Sequence, residues 1–89
     1  MRYQVLYLTN AQKLLRQVEP EAMRDRIREH VNALACDPRP PGSEALHGDL
    51  QGLPKLRVGR YRIVYEVDDA ERTVRVWTIR HRGNVYKRL

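Results

Sequence analysis

The sequence has little that would support a membrane-bound or disulfide-stabilised protein. Cys36 is the only cysteine among 89 residues, so no internal disulfide can form and a secreted, disulfide-rich fold is not indicated. The longest apolar stretches span only a few residues, too short for a transmembrane helix. Residues 1–4 lack the apolar run of a signal peptide, and we therefore expect a cytoplasmic protein. The hydrophobic fraction of 42% argues against a disordered chain.

Familiar catalytic motifs are also absent. The sequence contains no GxSxG, P-loop, HExxH or CxxC motif. The histidines do not have the spacing of metal ligands, so no metal or cofactor is expected. Cys36 lies at the end of the second predicted helix and is expected to be a small buried thiol rather than a nucleophile.

The basic excess lies entirely in the C-terminal part of the chain. Residues 1–54 carry seven basic and seven acidic side chains, whereas residues 55–89 carry ten basic and four acidic ones, which accounts for the net charge of +6. Eight of those ten are arginines, which bind phosphate through paired hydrogen bonds and stack on bases. A basic half of a small domain is typical of a protein that binds a polyanion; the alternative is a merely solvated surface.

Hydrophobic periodicity predicts one α+β domain spanning residues 1–89, with the element order βααβββ. Residues 2–8 should form a strand, followed by a short helix capped at Thr9 or Asn10 and a longer helix with Pro20 at its first position. The apolar stripes of these helices are Ala11, Leu14, Leu15 and Val18, and Met23, Ile27, Val31 and Leu34 or Ala35. After an exposed linker at 37–43, strands are expected at 53–58, 60–67 and 72–79. Both helices should pack on one face of a small, mainly antiparallel sheet.

Alternation along the strand at 60–67 separates two faces. The residues expected to face the helices are Tyr61, Ile63, Tyr65 and Val67, and those expected on the other face are Arg60, Arg62, Val64 and Glu66. If Val67 pairs with Arg72 across the turn, Arg62 lies opposite Trp77. Arg62, Arg75 and Trp77 would then share an exposed face suited to RNA, with a core or partner-facing Trp77 as the alternative.

Three segments of the C-terminal half resemble the RelE/ParE toxin superfamily. They are Leu46-His47-Gly48, the block GLPKLRVGRYRIVY from Gly52 to Tyr65, and the ending IRHRGNVY from Ile79 to Tyr86. The family pattern is an L-x-G segment, a G-L-x-R-L-R-V-G-x-Y-R-[IV]-x-Y block and an H-R-x-x-V-Y ending. The resemblance covers the whole chain in length and element order. It implies a RelE-like fold and a toxin neutralised by a RelB-like antitoxin. The basic C-terminal half predicts that this antitoxin is acidic or carries an amphipathic helix.

The resemblance implies two alternative activities. RelE-type members cleave mRNA in the ribosomal A site by attack of a ribose 2′-OH on the adjacent phosphate, whereas ParE-type members inhibit DNA gyrase. For cleavage, Lys55 matches a catalytic lysine or arginine, and Arg62 matches the arginine that binds the scissile phosphate. Arg80 matches the arginine that stabilises or protonates the leaving group, and Tyr86 the tyrosine that stacks on a base. The further RNA-binding candidates are Arg57, Arg60, Arg75, Arg82 and Trp77. A basic RNA-binding module without activity is a third interpretation.

Two features distinguish this sequence from the family pattern. Leu53 replaces a lysine two positions before Lys55, which leaves the identity of the general base open. A regular final strand also places Arg80 on the face opposite to Arg62. The strand would need to end, twist or bulge near Arg80 for both side chains to reach one phosphate.

Overall fold

Two helices cover one face of a five-stranded sheet in the computed structural model, which describes residues 2–40, 44–45 and 53–81. The elements are β1 (Gln4–Tyr7), α1 (Thr9–Arg16), α2 (Glu21–Ala33), β2 (Glu44–Ala45), β3 (Pro54–Val58), β4 (Tyr61–Asp68) and β5 (Thr73–His81). The strand order is β1-β5-β4-β3-β2; β1 is parallel to β5, and the other pairs are antiparallel. The predicted α+β fold with a mainly antiparallel sheet is confirmed, and the two-residue β2 is an addition to it. No helix in the described ranges is long and apolar enough to cross a membrane.

The hydrophobic core lies between the helices and one face of the sheet. The helical segments contribute Ala11, Leu15, Val18, Ile27, Val31 and Leu34, which confirms the predicted stripes. The strands contribute Leu56, Val58, Ile63, Tyr65, Val74, Val76 and Ile79. Tyr61 and Val67 pack against this core, so the predicted inner face of β4 is also confirmed. The hydroxyl of the buried Tyr65 donates to the carbonyl oxygen of Pro38 at 2.9 Å, which satisfies a polar group that burial would otherwise leave costly.

The two helices begin at slightly different residues from those predicted. The N-cap of α1 is Leu8, and no side chain caps this helix. Asn10, one of the two predicted caps, instead donates a hydrogen bond to Thr78 Oγ1 at 3.2 Å. Pro20 is the N-cap of α2 rather than its first helical residue. Shifts of one or two residues are the usual disagreement over helix boundaries.

The linker after α2 is attached to the turn between β4 and β5. Asp69 in that turn accepts hydrogen bonds from both terminal guanidinium nitrogens of Arg39, at 3.3 and 3.0 Å, and from the hydroxyl of Tyr3 at 2.6 Å. These bonds, chiefly those from Arg39, hold the pKa of Asp69 below its usual range. Cys36, just before this segment, is exposed rather than buried, because it lies beyond Leu34, the last buried residue of the α2 stripe. Residues 41–43 of the predicted linker lie outside the described residues.

A two-residue turn, Gly59-Arg60, joins β3 to β4, since Val58 pairs with Tyr61. Gly59 has a φ of +59°, a left-handed conformation that costs glycine nothing sterically. A positive φ at the first central residue alone is the pattern of a type II′ hairpin turn. A Cβ at this position would lie 2.9 Å from the Cε of Met23, so the turn also packs closely against α2.

We expect Gly59→Ala to lower the free energy of unfolding by about 1–2 kcal/mol, because the added Cβ is strained at positive φ and crowds Met23. Urea denaturation of the two proteins measures this change. Arg60→Ala alters the same turn without placing a Cβ at positive φ, and it should change stability by less than about 0.5 kcal/mol. Equal losses in the two variants would contradict this explanation.

We expect Asp69→Asn to remove an acid-sensitive part of the protein's stability. The folded-state pKa of Asp69 is lowered, so its carboxylate stabilises the fold above the unfolded pKa of about 3.9, and this contribution is lost as the pH falls through the folded value. Calorimetry should therefore show a lower Tm for the variant at about pH 7 and nearly equal Tm values at about pH 2. A Tm difference that does not change with pH would contradict this role.

Candidate nucleic-acid interface

The register between β4 and β5 changes halfway along the pair. Tyr65 lies opposite Val76, but the preceding residue of β4, Val64, lies opposite Thr78. Trp77 is therefore an extra residue without a partner on β4, which defines a β-bulge. Bulges are common next to active sites, where they change the direction in which side chains point.

The turn between β4 and β5 lies one residue later than predicted. Val67 pairs with Val74, and the expected pairing with Arg72 is wrong. Asp68 remains in the strand, and its carboxylate accepts a hydrogen bond from the backbone N–H of Glu71 at 3.0 Å. Arg72 closes the turn with a φ of 54°, the left-handed conformation. These local interactions shift the start of the β4–β5 ladder.

The later turn and the bulge together place three arginines side by side. Arg57 of β3 lies opposite Arg62 of β4, which in turn lies opposite Arg80 of β5. The predicted pairing of Arg62 with Trp77 is therefore wrong. Of the three ways in which Arg80 could reach the face of Arg62, namely a strand end, a twist or a bulge, the structure shows a bulge, at Trp77. Side chains directly opposite on antiparallel strands share a face, with Cβ atoms about 4.5–5.5 Å apart. We refer to Arg57, Arg62 and Arg80 as the arginine row; it lies on the sheet face away from the helices.

The arginine row brings three positive charges together on one face of the sheet. Within residues 2–40 and 53–81, none of its guanidinium groups forms an ion pair. Arg57 and Arg80 are exposed, and Arg62 is half-buried. Like charges directly opposite on neighbouring strands destabilise a sheet. The arrangement is therefore suited to an anion with several oxygen atoms, which guanidinium groups bind through paired hydrogen bonds.

Two further basic residues lie close to the arginine row. Lys55 is two residues before Arg57 on β3, so it projects from the same face, and it lies opposite Val64. Arg60 lies in the β3–β4 turn beside the row rather than within it. A surface depression at this end of the sheet is lined by Arg57, Gly59, Arg60, Tyr61 and Arg62.

A second polar cluster lies on the same face, further along β4 and β5. Arg75 Nη1 is 3.2 Å from both Glu66 Oε2 and Asp68 Oδ2. The indole N–H of Trp77 donates to Glu66 Oε1 at 3.0 Å. The backbone N–H of Glu71, together with Arg75, holds the pKa of Asp68 below its usual range. The structure therefore places Arg75, a predicted RNA-binding residue, between two carboxylates and not in the arginine row.

Sequence reasoning missed the acidic members of this second cluster. Glu66 and Asp68 alternate along β4, as do Arg75 and Trp77 along β5, which is the signal that they could meet across two strands. Predicting these contacts also requires the correct β4–β5 register. The predicted register was wrong because the turn lies one residue later than expected. Two other predicted site residues, Arg82 and Tyr86, lie outside the described residues. In the part of the chain that the structure describes, no group of three or more acidic, histidine or cysteine side chains could hold a metal ion.

Comparison with known proteins agrees with this architecture. A family model described as the ParE toxin of the type II toxin–antitoxin system parDE matches residues 5–86. The chain belongs to the RelE/ParE toxin superfamily. Toxin RelG of Mycobacterium tuberculosis is 30% identical to this toxin over 88 residues, which cover 99% of this chain and 100% of RelG.

Solved toxin structures share the fold over nearly the whole chain. The toxin–antitoxin complex RelBE2 from Mycobacterium tuberculosis matches with a TM-score of 0.81 and 27% identity, covering 93% of this toxin and 94% of that chain. The archaeal RelE–RelB complex from Pyrococcus horikoshii OT3 matches with a TM-score of 0.76 and 27% identity, covering 93% of this toxin and 98% of that chain. A mutant of the E. coli toxin RelE in the free state matches with a TM-score of 0.73 and 25% identity, covering 98% of this toxin and 93% of that chain. The predicted RelE-like fold is thereby confirmed.

We expect Arg62→Gln to leave the toxin as stable as the wild type, or more stable, at low salt. The change removes the central charge of the arginine row and its repulsion of two neighbours but keeps most of the side-chain length. Thermal unfolding at low and high salt measures the effect, and any gain should shrink as salt screens the repulsion. Arg28→Gln is the matched control, because it breaks an exposed ion pair with Asp25 instead. A Tm lower for Arg62→Gln than for Arg28→Gln at low salt would contradict like-charge repulsion.

Proposed function

We propose that this toxin is a ribosome-dependent endoribonuclease that cleaves mRNA by attack of a ribose 2′-oxygen on the adjacent phosphate. The observation that carries this proposal is the arginine row, whose three cations lie together on one face and form no ion pair within residues 2–40 and 53–81. Preorganised cations aimed at a developing anion are among the largest contributions to catalysis. The resemblance to RelE-type toxins supplies the substrate and the reaction type.

The reaction needs a group that accepts the 2′-hydroxyl proton, cations that hold the phosphate, and stabilisation of the leaving oxygen. The new bond joins the 2′-oxygen to phosphorus, and the bond from phosphorus to the 5′-oxygen breaks. The products are a cyclic phosphate and, once the 5′-oxygen takes up a proton, a free hydroxyl. No redox step or metal ion is required for this balance.

Within this scheme, Arg62 at the centre of the row binds the scissile phosphate. Arg80 stabilises the negative charge that develops on the leaving 5′-oxygen. Lys55 is the candidate proton acceptor, since Leu53 occupies the other position where the family has a lysine. Tyr86 is assigned base stacking, as the resemblance implies. Arg57, Arg60 and Arg82 are assigned to contacts with the RNA backbone.

We expect Arg62→Ala to slow single-turnover cleavage of mRNA on programmed ribosomes by about 10²- to 10³-fold, the usual cost of removing one preorganised charge at a transition state. Arg26→Ala is the matched control, because Arg26 is an exposed arginine on α2, on the opposite side of the sheet from the row. This control should cleave at close to the wild-type rate. Full activity in a folded Arg62→Ala variant would contradict the site assignment.

A gyrase inhibitor is the second candidate, because the matching family model is described for ParE. Cell-free translation and a DNA supercoiling assay, run with the same protein preparation, distinguish the two. Arrested translation with new mRNA ends supports the nuclease, whereas unaffected translation with inhibited supercoiling supports the gyrase inhibitor. No effect in either assay would favour the third interpretation, a basic RNA-binding module without activity.

We also propose a cognate, RelB-like antitoxin that carries an acidic or amphipathic helix and acts on the toxin in the cytoplasm. Two solved relatives of this chain are toxin–antitoxin complexes, RelBE2 and an archaeal RelE–RelB complex. Acidic side chains on such a helix would compensate the arginine row and compete with RNA for it. A complex that is insensitive to salt would contradict this mode of neutralisation.

A further inference from the structure

Trp77 is the one residue within β5 that the pairing with β4 does not use. The β4–β5 ladder contains the pair Tyr65–Val76 before Trp77 and the pair Val64–Thr78 after it. Removing Trp77 would leave both halves of the ladder in their present register. Trp77 is 41% exposed and is not part of the hydrophobic core. The fold therefore provides no evident reason for a tryptophan at this position.

Trp77 is nevertheless held in a defined orientation. Its indole N–H is bonded to Glu66 Oε1, and the other carboxylate oxygen of Glu66 contacts Arg75, which also contacts Asp68. The cluster fixes the edge of the indole ring while part of the side chain remains exposed. A ring that is already oriented loses less conformational freedom when a ligand binds it.

The position of Trp77 relates it to the arginine row. Trp77 lies three residues from Arg80 along β5, a separation of about 10 Å at the usual rise of a strand. Leu6 on β1, the other exposed large hydrophobic residue among those described, is 40% exposed and pairs with Arg75 on the same face. Single exposed apolar residues are normal, but here both lie on the face that carries the arginine row.

We propose that Trp77 is a base-stacking residue that binds one nucleobase of an RNA strand whose phosphate is held by the arginine row. This inference rests on the proposed function and adds a substrate contact to it. Stacking accepts every base because each has a π-face. Trp77 therefore sets the position of the strand on the sheet and not its sequence.

Charge favours a nucleobase over an acidic peptide at this position. The two carboxylates of Glu66 and Asp68 share a single guanidinium, that of Arg75, so the cluster around Trp77 has one excess negative charge. An acidic helix would be repelled at this end of the face, whereas an uncharged base would not. The phosphates of the same strand would lie at the arginine row, where the charge is positive.

The fluorescence of the protein tests the stacking directly, because Trp77 is its only tryptophan. The probe is a short single-stranded RNA with 2′-O-methyl riboses, which cannot be cleaved, and the control is an abasic strand of equal length and charge. End-label anisotropy measures how much of each strand is bound. We expect saturable quenching of Trp77 by the RNA and little change with the abasic strand at equal occupancy. Bound RNA that leaves the emission unchanged, or equal quenching by both strands, would overturn the proposal.

Two substitutions make the test independent of the fluorescence signal. Trp77→Ala should weaken RNA binding by about 5- to 150-fold, which corresponds to a stacking free energy of about 1–3 kcal/mol. Trp77→Phe keeps an aromatic ring and should lose much less. The salt dependence of binding should be the same in all three proteins, because no phosphate contact is removed. Circular dichroism shows whether the variants fold. If Trp77→Ala does not fold, the fluorescence titration of the wild-type protein decides whether Trp77 stacks on a base.

The remaining outcomes separate this inference from the proposed nuclease. Quenching by RNA together with the expected loss in Trp77→Ala, but without any mRNA cleavage on ribosomes, would support stacking and reject the nuclease. Cleavage of mRNA on ribosomes together with unchanged Trp77 emission on RNA binding would support the nuclease and reject stacking. A Trp77→Ala variant that binds RNA normally but no longer binds the antitoxin would place Trp77 in a protein interface and overturn the proposal.

Discussion

The β-bulge at Trp77 decides which side chains meet on the open face of the sheet, and the hydrophobic core enforces it. The inward residues of β5 are Val74, Val76 and then Ile79, so one extra residue must fit between the last two. A ladder without the bulge would turn Arg80 toward the helices and Ile79 toward solvent. Burying an unpaired charge costs several kcal/mol, and exposing an isoleucine costs about 1.5–3 kcal/mol more. Core packing, and not any attraction among the arginines, therefore holds Arg80 beside Arg62.

The features that could be predicted from the sequence are those with uninterrupted periodicity. The helix stripes and the inner face of β4 follow a single period over several residues, which is why they were predicted correctly. The bulge interrupts the period of β5, where the inward spacing changes from two residues to three between Val76 and Ile79. That change is visible in the sequence, but it is equally consistent with a strand that ends at Trp77. The interactions of Asp68 and Arg72 in the turn, which shift the register, depend on geometry that alternation does not encode.

The arginine row and the rest of the fold have opposite effects on stability. Three adjacent guanidinium groups repel one another, and within residues 2–40 and 53–81 none of them forms an ion pair. Compensated charges lie elsewhere, in the contact of Arg39 with Asp69 and in the cluster around Arg75. Within residues 2–40 and 53–81, the sheet thus separates an end where arginines are paired with carboxylates from an end where they are not. An anionic ligand bound at the row would relieve the repulsion, which couples binding to stability.

The most direct test of a phosphate site at the arginine row is NMR observation of the arginine Nε–Hε groups during titration with an uncleavable RNA. The resonances of Arg57, Arg62 and Arg80 should shift together and saturate at one RNA concentration, while Arg26 on the helical side stays unchanged. Small, similar shifts at every exposed arginine, or an Arg80 that does not respond when Arg62 does, would contradict a single phosphate site built by the bulge.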